Sequence, residues 1–267
     1  ALHGGKDAPF YLVVSFDEPH GPNSAPESFY DLYKGTTRPR SANFDDTLED
    51  KPAVHRAFEE YYQHKGRVPS GTVPNNSPRI FGCNSYIDRQ IGRVIDAVDA
   101  HCPDNTIIVY TADHGDQLGS HGLLAKGPVM YEETTRIPLI IRAPRITQPG
   151  STCNRLISHI DLAPMLCRLT DTPVPEKFEG RDASPLLTDP ATPVRDELFM
   201  EYYRFGLPHH TRWGFQPIKC VRTQTHKLVL NLLDRDELYD LQADPGEMIN
   251  RIDDPALADL RNQLHDK

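Results

Sequence analysis

The chain has 267 residues, enough to bury a substantial core as one large domain or two smaller ones. Its 38 acidic against 29 basic side chains give a net charge of −9, which excludes a general nucleic-acid binder, because neutralising phosphates needs a basic surface. Hydrophobic residues make up 38%, no apolar run approaches the length of a membrane-spanning helix, and Pro plus Gly reach only 41 residues, so neither a transmembrane nor a disordered chain fits.

Phe10 to Phe16 (FYLVVSF) is a nearly continuous apolar, β-branched and aromatic run, and predicts a strand buried on both faces, as in parallel sheets. Residues 18–78 are rich in Pro, Gly, Asn and Ser, with one helical piece at Ala53 to His64. Ser85 to His101 is the clearest helix. Its apolar residues recur at 87, 91, 94, 95 and 98, Ser85 and Asp88 have capping-box spacing, and Pro103 stops it. Thr106 to Thr111 (TIIVYT) and Ile137 to Arg142 (IPLIIR) predict two further buried strands, and Asp161 to Leu169 a short helix. Strand, helix and strand with short joins form a βαβ unit, so the first part is α/β with a mostly parallel or mixed central sheet flanked by helices. After the proline-rich stretch 170–193 come short strands at Leu198 to Tyr203, Ile218 to Thr223, Lys227 to Leu230 and Glu237 to Leu241, then a helix from Pro255 to Leu264. They predict a small antiparallel sheet with a helix on one face, and a boundary near 195 that divides the chain into 1–195 and 196–267.

The five cysteines (83, 102, 153, 167 and 220) contain no Cys-x-x-Cys pair, which fits neither a zinc ribbon nor a dense disulfide framework. The chemistry concentrates in Asp113 to Glu133 (DHGDQLGSHGLLAKGPVMYEE), directly after TIIVYT, where the carboxyl ends of strands gather ligands in open α/β sheets. Asp113 and His114 are adjacent at the strand tip, before Gly115, and a carboxylate with an imidazole can ligate one divalent metal. The alternative is a strand-terminating turn with Asp113 as a helix cap. Lys126 follows in a Gly-rich loop, where it could neutralise an anion, and PHGP places His20 at the tip of the first strand. Three strand ends thus offer two histidines, a lysine and an aspartate to one crevice. Asp116 and His121 are read as loop-ordering residues, and Glu132 with Arg136 as a structural ion pair. The cluster Arg204, His209, His210, Arg212 and Trp213 is either a substrate pocket acting by stacking and anion contacts or a surface loop. Asn75-Asn76-Ser77 matches a glycosylation sequon.

Taken together, VSFDEPHGP, YIDRQIGRVIDAV, DNTIIVYTADHGDQLGSHGLLAKG, YEETTRIPLIIRAP and HIDLAPMLCRL resemble the type I sulfatases of the alkaline phosphatase superfamily from about Phe10 to Leu187, and LYDLQADPGEMIN resembles their C-terminal subdomain. The resemblance implies an alkaline-phosphatase-like fold and hydrolysis of a sulfate ester, small-molecule or carbohydrate, by a formylglycine made from the cysteine of a Cys-x-Pro-x-Arg motif. Carried over by position, Asp113 and His114 are metal ligands, Lys126 binds the sulfate and the leaving-group oxygen, and His20 contacts the sulfate or acts as general acid. His210 and Arg212 are substrate-binding candidates. The resemblance favours calcium, although the Asp-His pair would suit manganese or zinc on softness.

No cysteine here lies in Cys-x-Pro-x-Arg: Cys102 is followed directly by Pro103, and Ser24-Ala25-Pro26 continues Glu-Ser. The chain therefore reads as the C-terminal half of a sulfatase, inactive alone, whose formylglycine belongs to an upstream half of the same polypeptide. Rival readings are a phosphodiesterase or phosphonate monoester hydrolase of the same superfamily, and a truncated non-catalytic paralogue. Neither a nucleic acid nor a membrane is expected as partner, and self-association is open.

Overall fold

The computed structural model describes residues 9–37, 39–64, 77–102, 104–203 and 216–267. Its helices are α1 (Glu27–Asp31), α2 (Ala53–His64), α3 (Ser77–His101), α4 (Glu132–Thr135), α5 (Leu162–Leu169) and α6 (Ala258–His265). Its strands are β1 (Ile108–Thr111), β2 (Leu139–Arg142), β3 (Glu197–Tyr202), β4 (Ile218–Thr223), β5 (His226–Asn231) and β6 (Glu237–Asp240). They form two compact units, Ala1–Pro39 with Pro74–Pro103, and Arg40–Val73 with Asp104–Lys267.

In the first unit α1 packs on α3. Phe29 meets Tyr86 edge-on at 5.2 Å and Tyr33 meets Phe81 at 5.5 Å. Gly82 allows this approach, since a Cβ there would lie 2.8 Å from the Phe29 carbonyl oxygen. α3 begins at Ser77, eight residues before the predicted start. Pro78 sits in its first turn, where a missing N–H leaves no bond unmade. Ser85 is consequently not a cap, and its hydroxyl bonds Tyr33 Oη at 2.6 Å. The predicted strand Phe10–Phe16 does not form. Among the described residues nothing pairs with it, so its backbone lacks a ladder, and Phe10 to Val14 stand between 43% and 79% exposed.

In the second unit β1 and β2 pair antiparallel, with Tyr110 opposite Ile140. The βαβ unit read from the sequence joins residues 10–16, not β2, to residues 106–111, and its first strand is the one that does not form among the described residues. Ile141 packs against Met165, Ala183 and Leu186, whereas Tyr110 (42%) and Ile140 (64%) remain exposed.

Strands β3-β4-β5-β6 form an antiparallel sheet, as predicted for this region. Strand period 2 divides the central strands between two buried faces. On one face Val221, Leu228 and Leu238 join Leu264 of α6. On the other, Ile218, Cys220 and Val229 join Met130. That second face also carries Lys227, Glu237 and Tyr239, all fully buried or nearly so, and it lies beneath the segment that leads out of the candidate site.

Candidate active site

The site residues of the second unit lie in the loop that leaves β1. His159 Nε2 donates to the Ala112 carbonyl at 2.8 Å and braces the strand end. A capping box holds this histidine in place: the buried Asp161 accepts from Ser158 N (2.8 Å) and from Arg181 N (2.7 Å), and it pairs with Arg195. Asp113 Oδ1 then accepts from His114 N at 2.9 Å. His114 Nδ1 lies 2.8 Å from the Gly115 carbonyl, which can only accept, so Nδ1 carries the proton. The remaining nitrogen, Nε2, faces Asp113 Oδ2 at 3.3 Å, and both side chains are open to solvent. A divalent cation placed between these two groups would be shared by both. A histidine ligand whose other nitrogen is committed to a carbonyl is a recurrent metal-binding arrangement. Among the described residues no third His, Cys, Asp or Glu completes a metal centre.

Gly115 fixes where this pair points. Its N–H donates to the Thr134 carbonyl at 2.9 Å, and a Cβ would lie 1.9 Å from the Glu133 carbonyl oxygen. Space, rather than a left-handed backbone, demands glycine here.

The following loop is folded tightly. Gln117 N donates to Ala125 O (2.8 Å) and Gly119 N to Leu123 O (2.7 Å). Leu118, His121 and Ala125 adopt positive φ (46°, 54° and 60°), conformations that persist in L-residues only where surroundings over-determine them. Here the surroundings are visible. Asp116 Oδ1 accepts from Leu118 N, Leu123 is fully buried, and Gly127 lies against the Phe58 ring. His121, also fully buried, is the central pin. It stacks on Tyr131 at 3.7 Å, donates from Nδ1 to Asp46 (2.7 Å), and accepts at Nε2 from Asn43 (2.9 Å). Asp46 is held below the usual carboxylate range: burial pushes it up, but the hydrogen bonds from His121 and Leu48 and the nearby Lys51 outweigh that. The loop-ordering roles read for Asp116 and His121 are thus the ones these residues have. Lys126, between Ala125 and Gly127, is half-buried, and among the described residues it has no hydrogen bond or ion pair.

The predicted Glu132–Arg136 pair is corrected. Glu132 instead meets Arg222 (3.1 Å) and Lys227 (2.9 Å), both from the C-terminal sheet. Burial pushes the Glu132 carboxyl up, but the Lys227 charge and the Arg222 hydrogen bond prevail and hold it down at about 2. In the first unit, His20 is exposed and its Nδ1 bonds the Gly21 carbonyl at 2.8 Å. His210 and Arg212, with Arg204, His209 and Trp213, lie outside the described residues, as do Asn75 and Asn76.

Comparison with known proteins decides the family. The sulfatase family model matches residues 2–172, and that of the C-terminal region of N-sulphoglucosamine sulphohydrolase matches residues 119–267. The chain belongs to the sulfatase family. Across 263 residues this sulfatase chain is 38% identical to the uncharacterized sulfatase YidJ of Escherichia coli K12, covering 97% of its own length and 50% of the relative's. It therefore spans about half the length of the curated relative it matches. Two solved structures are similar. One is a protein in complex with its substrate D-glucosamine-2-N,6-O-disulfate (TM-score 0.78, 25% identity, 93% of this chain and 62% of that one). The other is a phosphonate monoester hydrolase from Silicibacter pomeroyi (TM-score 0.79, 27% identity, 93% and 53%). Sulfatases generally use a divalent metal and a formylglycine, and the Asp113–His114 donor pair fits part of such a metal site.

The sequence reading missed the pins Asn43, Asp46 and His159 and the buried ions Lys51, Lys227 and Glu247. Lys227, an inward position within the apolar HKLVLN run, carried the one legible signal.

Proposed function

We propose that this chain supplies metal-binding and anion-binding groups of a sulfuric ester hydrolase acting on a carbohydrate sulfate ester. One observation carries the reading: Asp113 Oδ2 and His114 Nε2 face each other at 3.3 Å, with Nδ1 committed to Gly115. Asp113 and His114 would hold a divalent cation, calcium on this reading, which would supply polarisation of the sulfate and of the attacking nucleophile. Lys126, without a hydrogen bond or ion pair among the described residues, neutralises a sulfate oxygen and the charge that develops on the leaving oxygen. His20, with Nδ1 anchored on Gly21, keeps Nε2 available to deliver a proton to that oxygen. No cysteine here has the Cys-x-Pro-x-Arg context and the chain spans about half of its relative's length, which supports a formylglycine nucleophile supplied by an upstream half of the same polypeptide. Residues 1–195 belong to the catalytic α/β domain and 196–267 form a C-terminal subdomain, with His210 and Arg212 as substrate-binding groups. The amino-sugar disulfate bound to the similar structure supports a carbohydrate substrate.

The likeness to a phosphonate monoester hydrolase favours a second reading, with phosphonate or phosphate esters as substrate. Parallel kcat/KM measurements on sulfate and phosphonate esters with the intact protein separate the two. Sulfate-ester turnover that falls about hundredfold in Lys126→Ala and His20→Ala supports the assigned roles, and a loss within about threefold contradicts them.

A further inference from the structure

We propose that Lys227 and Glu247 are positioning residues that hold the Gly115 turn, and with it the Asp113–His114 pair, in the geometry that binds a divalent cation. The proposal rests on the reading of that pair as metal ligands. Lys227 is fully buried on the inner face of β5, a position that strand period would fill with an apolar side chain. Its ammonium meets the Met130 carbonyl (2.7 Å), Glu247 Oε1 (2.8 Å) and Glu132 Oε1 (2.9 Å). Buried ion groups of this kind are often replaceable by apolar residues without loss of stability, so stability alone does not account for this one.

The geometry of Glu247 indicates what the cluster holds. Glu247 adopts φ 53°, and its carbonyl accepts from Lys51 Nζ at 2.7 Å. Its Oε2 accepts from the backbone N–H of Glu132 at 2.7 Å, at the start of α4. α4 is four residues long, too short to stand by its own hydrogen bonds. Its far end supports the site: Thr134 O accepts from Gly115 N (2.9 Å), Thr134 Oγ1 accepts from Gln117 Nε2 (2.8 Å), and Gly115 O accepts from His114 Nδ1 (2.8 Å). A continuous path of polar contacts therefore runs from the C-terminal sheet through Glu247, α4 and Gly115 to the His114 ring. Asn43 adds a second hold on the same helix, donating to Glu133 Oε1 at 2.7 Å.

The test uses the intact protein. Lys227→Met alone strands a buried carboxylate and is expected to fold poorly, so the informative variant is Lys227→Met/Glu247→Gln, which removes both charges. Leu264→Ala, on the opposite face of the same sheet, serves as a variant of lowered stability outside the path. Three quantities are read: Tm, hydrogen exchange at the Gly115 amide, and calcium affinity by calorimetry. The double variant is expected to speed Gly115 exchange and weaken calcium binding by at least about tenfold each, whereas Leu264→Ala lowers Tm without weakening calcium. Exchange and affinity both within about twofold of Leu264→Ala overturn the proposal, as does faster exchange with unchanged calcium affinity. Should the wild type bind no calcium, the metal reading fails by itself. Exchange at Gly115 then decides the positioning role: acceleration supports it and no change overturns it.

Discussion

Gly115→Ala is the sharpest single perturbation of the site. Gly115 has no left-handed backbone that alanine would resist, so only space is at issue. The new Cβ would lie 1.9 Å from the Glu133 carbonyl oxygen, whereas contacts under 3.0 Å are essentially never seen, so the two must part by about 1.1 Å. A shift of that size stretches the 2.9 Å bond from Gly115 N to Thr134 O beyond hydrogen-bond range and carries Asp113 and His114 with it. Overpacking of this kind costs about 1–3 kcal/mol of stability. A displacement of about 1 Å in the groups that orient a reaction costs about hundredfold in rate. Sulfate-ester kcat/KM of the intact protein, with a thermal melt, measures both. Gly92→Ala is the control: nothing lies within 4 Å of its Cβ, and as a helical position it should be neutral or gain stability. Turnover of Gly115→Ala within about threefold of wild type would refute the claim that this close approach sets the site.

His121→Ala removes a fully buried ring and takes one hydrogen-bond partner each from Asp46 Oδ2 and Asn43, so a loss of about 3–5 kcal/mol is expected in denaturant titrations, against less than about 1 kcal/mol for Asp116→Ala. Glu132 is held at about 2 against an ordinary 4.5, so its stabilisation is complete above pH 4.5 and is lost as pH falls through 2. Tm measured across that window should fall more steeply in the wild type than in Glu132→Gln, and equal slopes would remove Glu132 from the explanation. The exposed apolar residues Phe10 to Val14, Tyr110 and Ile140 predict that the 267-residue chain expressed alone self-associates. Light scattering checks this, and reversible two-state unfolding of a monomer would contradict it.

How much was legible in the sequence follows from which contacts are local. Asp113, His114 and Lys126 could be found because a strand signal ends just before them and glycines mark the turns. The reason for Gly115 could not, since Glu133 approaches it from eighteen residues away. Periodicity located α2, β1, β2 and the C-terminal strands. It also marked Phe10 to Phe16 as a strand, because an apolar run reports the capacity for burial and not the presence of a partner. Pro78 counts in sequence as the end of the Pro- and Gly-rich stretch 18–78, whereas it is a first-turn residue of α3. Glu132 and Arg136 share the turn at a strand entrance and read as a pair, whereas tertiary structure delivers Arg222 and Lys227 to Glu132. Buried ions joined across about a hundred residues leave no spacing to read, and Lys227 was visible only as a charge on the wrong side of a strand.

The proposed chemistry requires the Asp113–His114 pair to bind a metal. Calorimetric calcium titration of the intact wild-type protein and of Asp113→Asn tests it most directly. Binding is expected in the wild type and at least about tenfold weaker binding in the variant, with sulfate-ester turnover lost in parallel. Equal calcium affinity in the two proteins would contradict it.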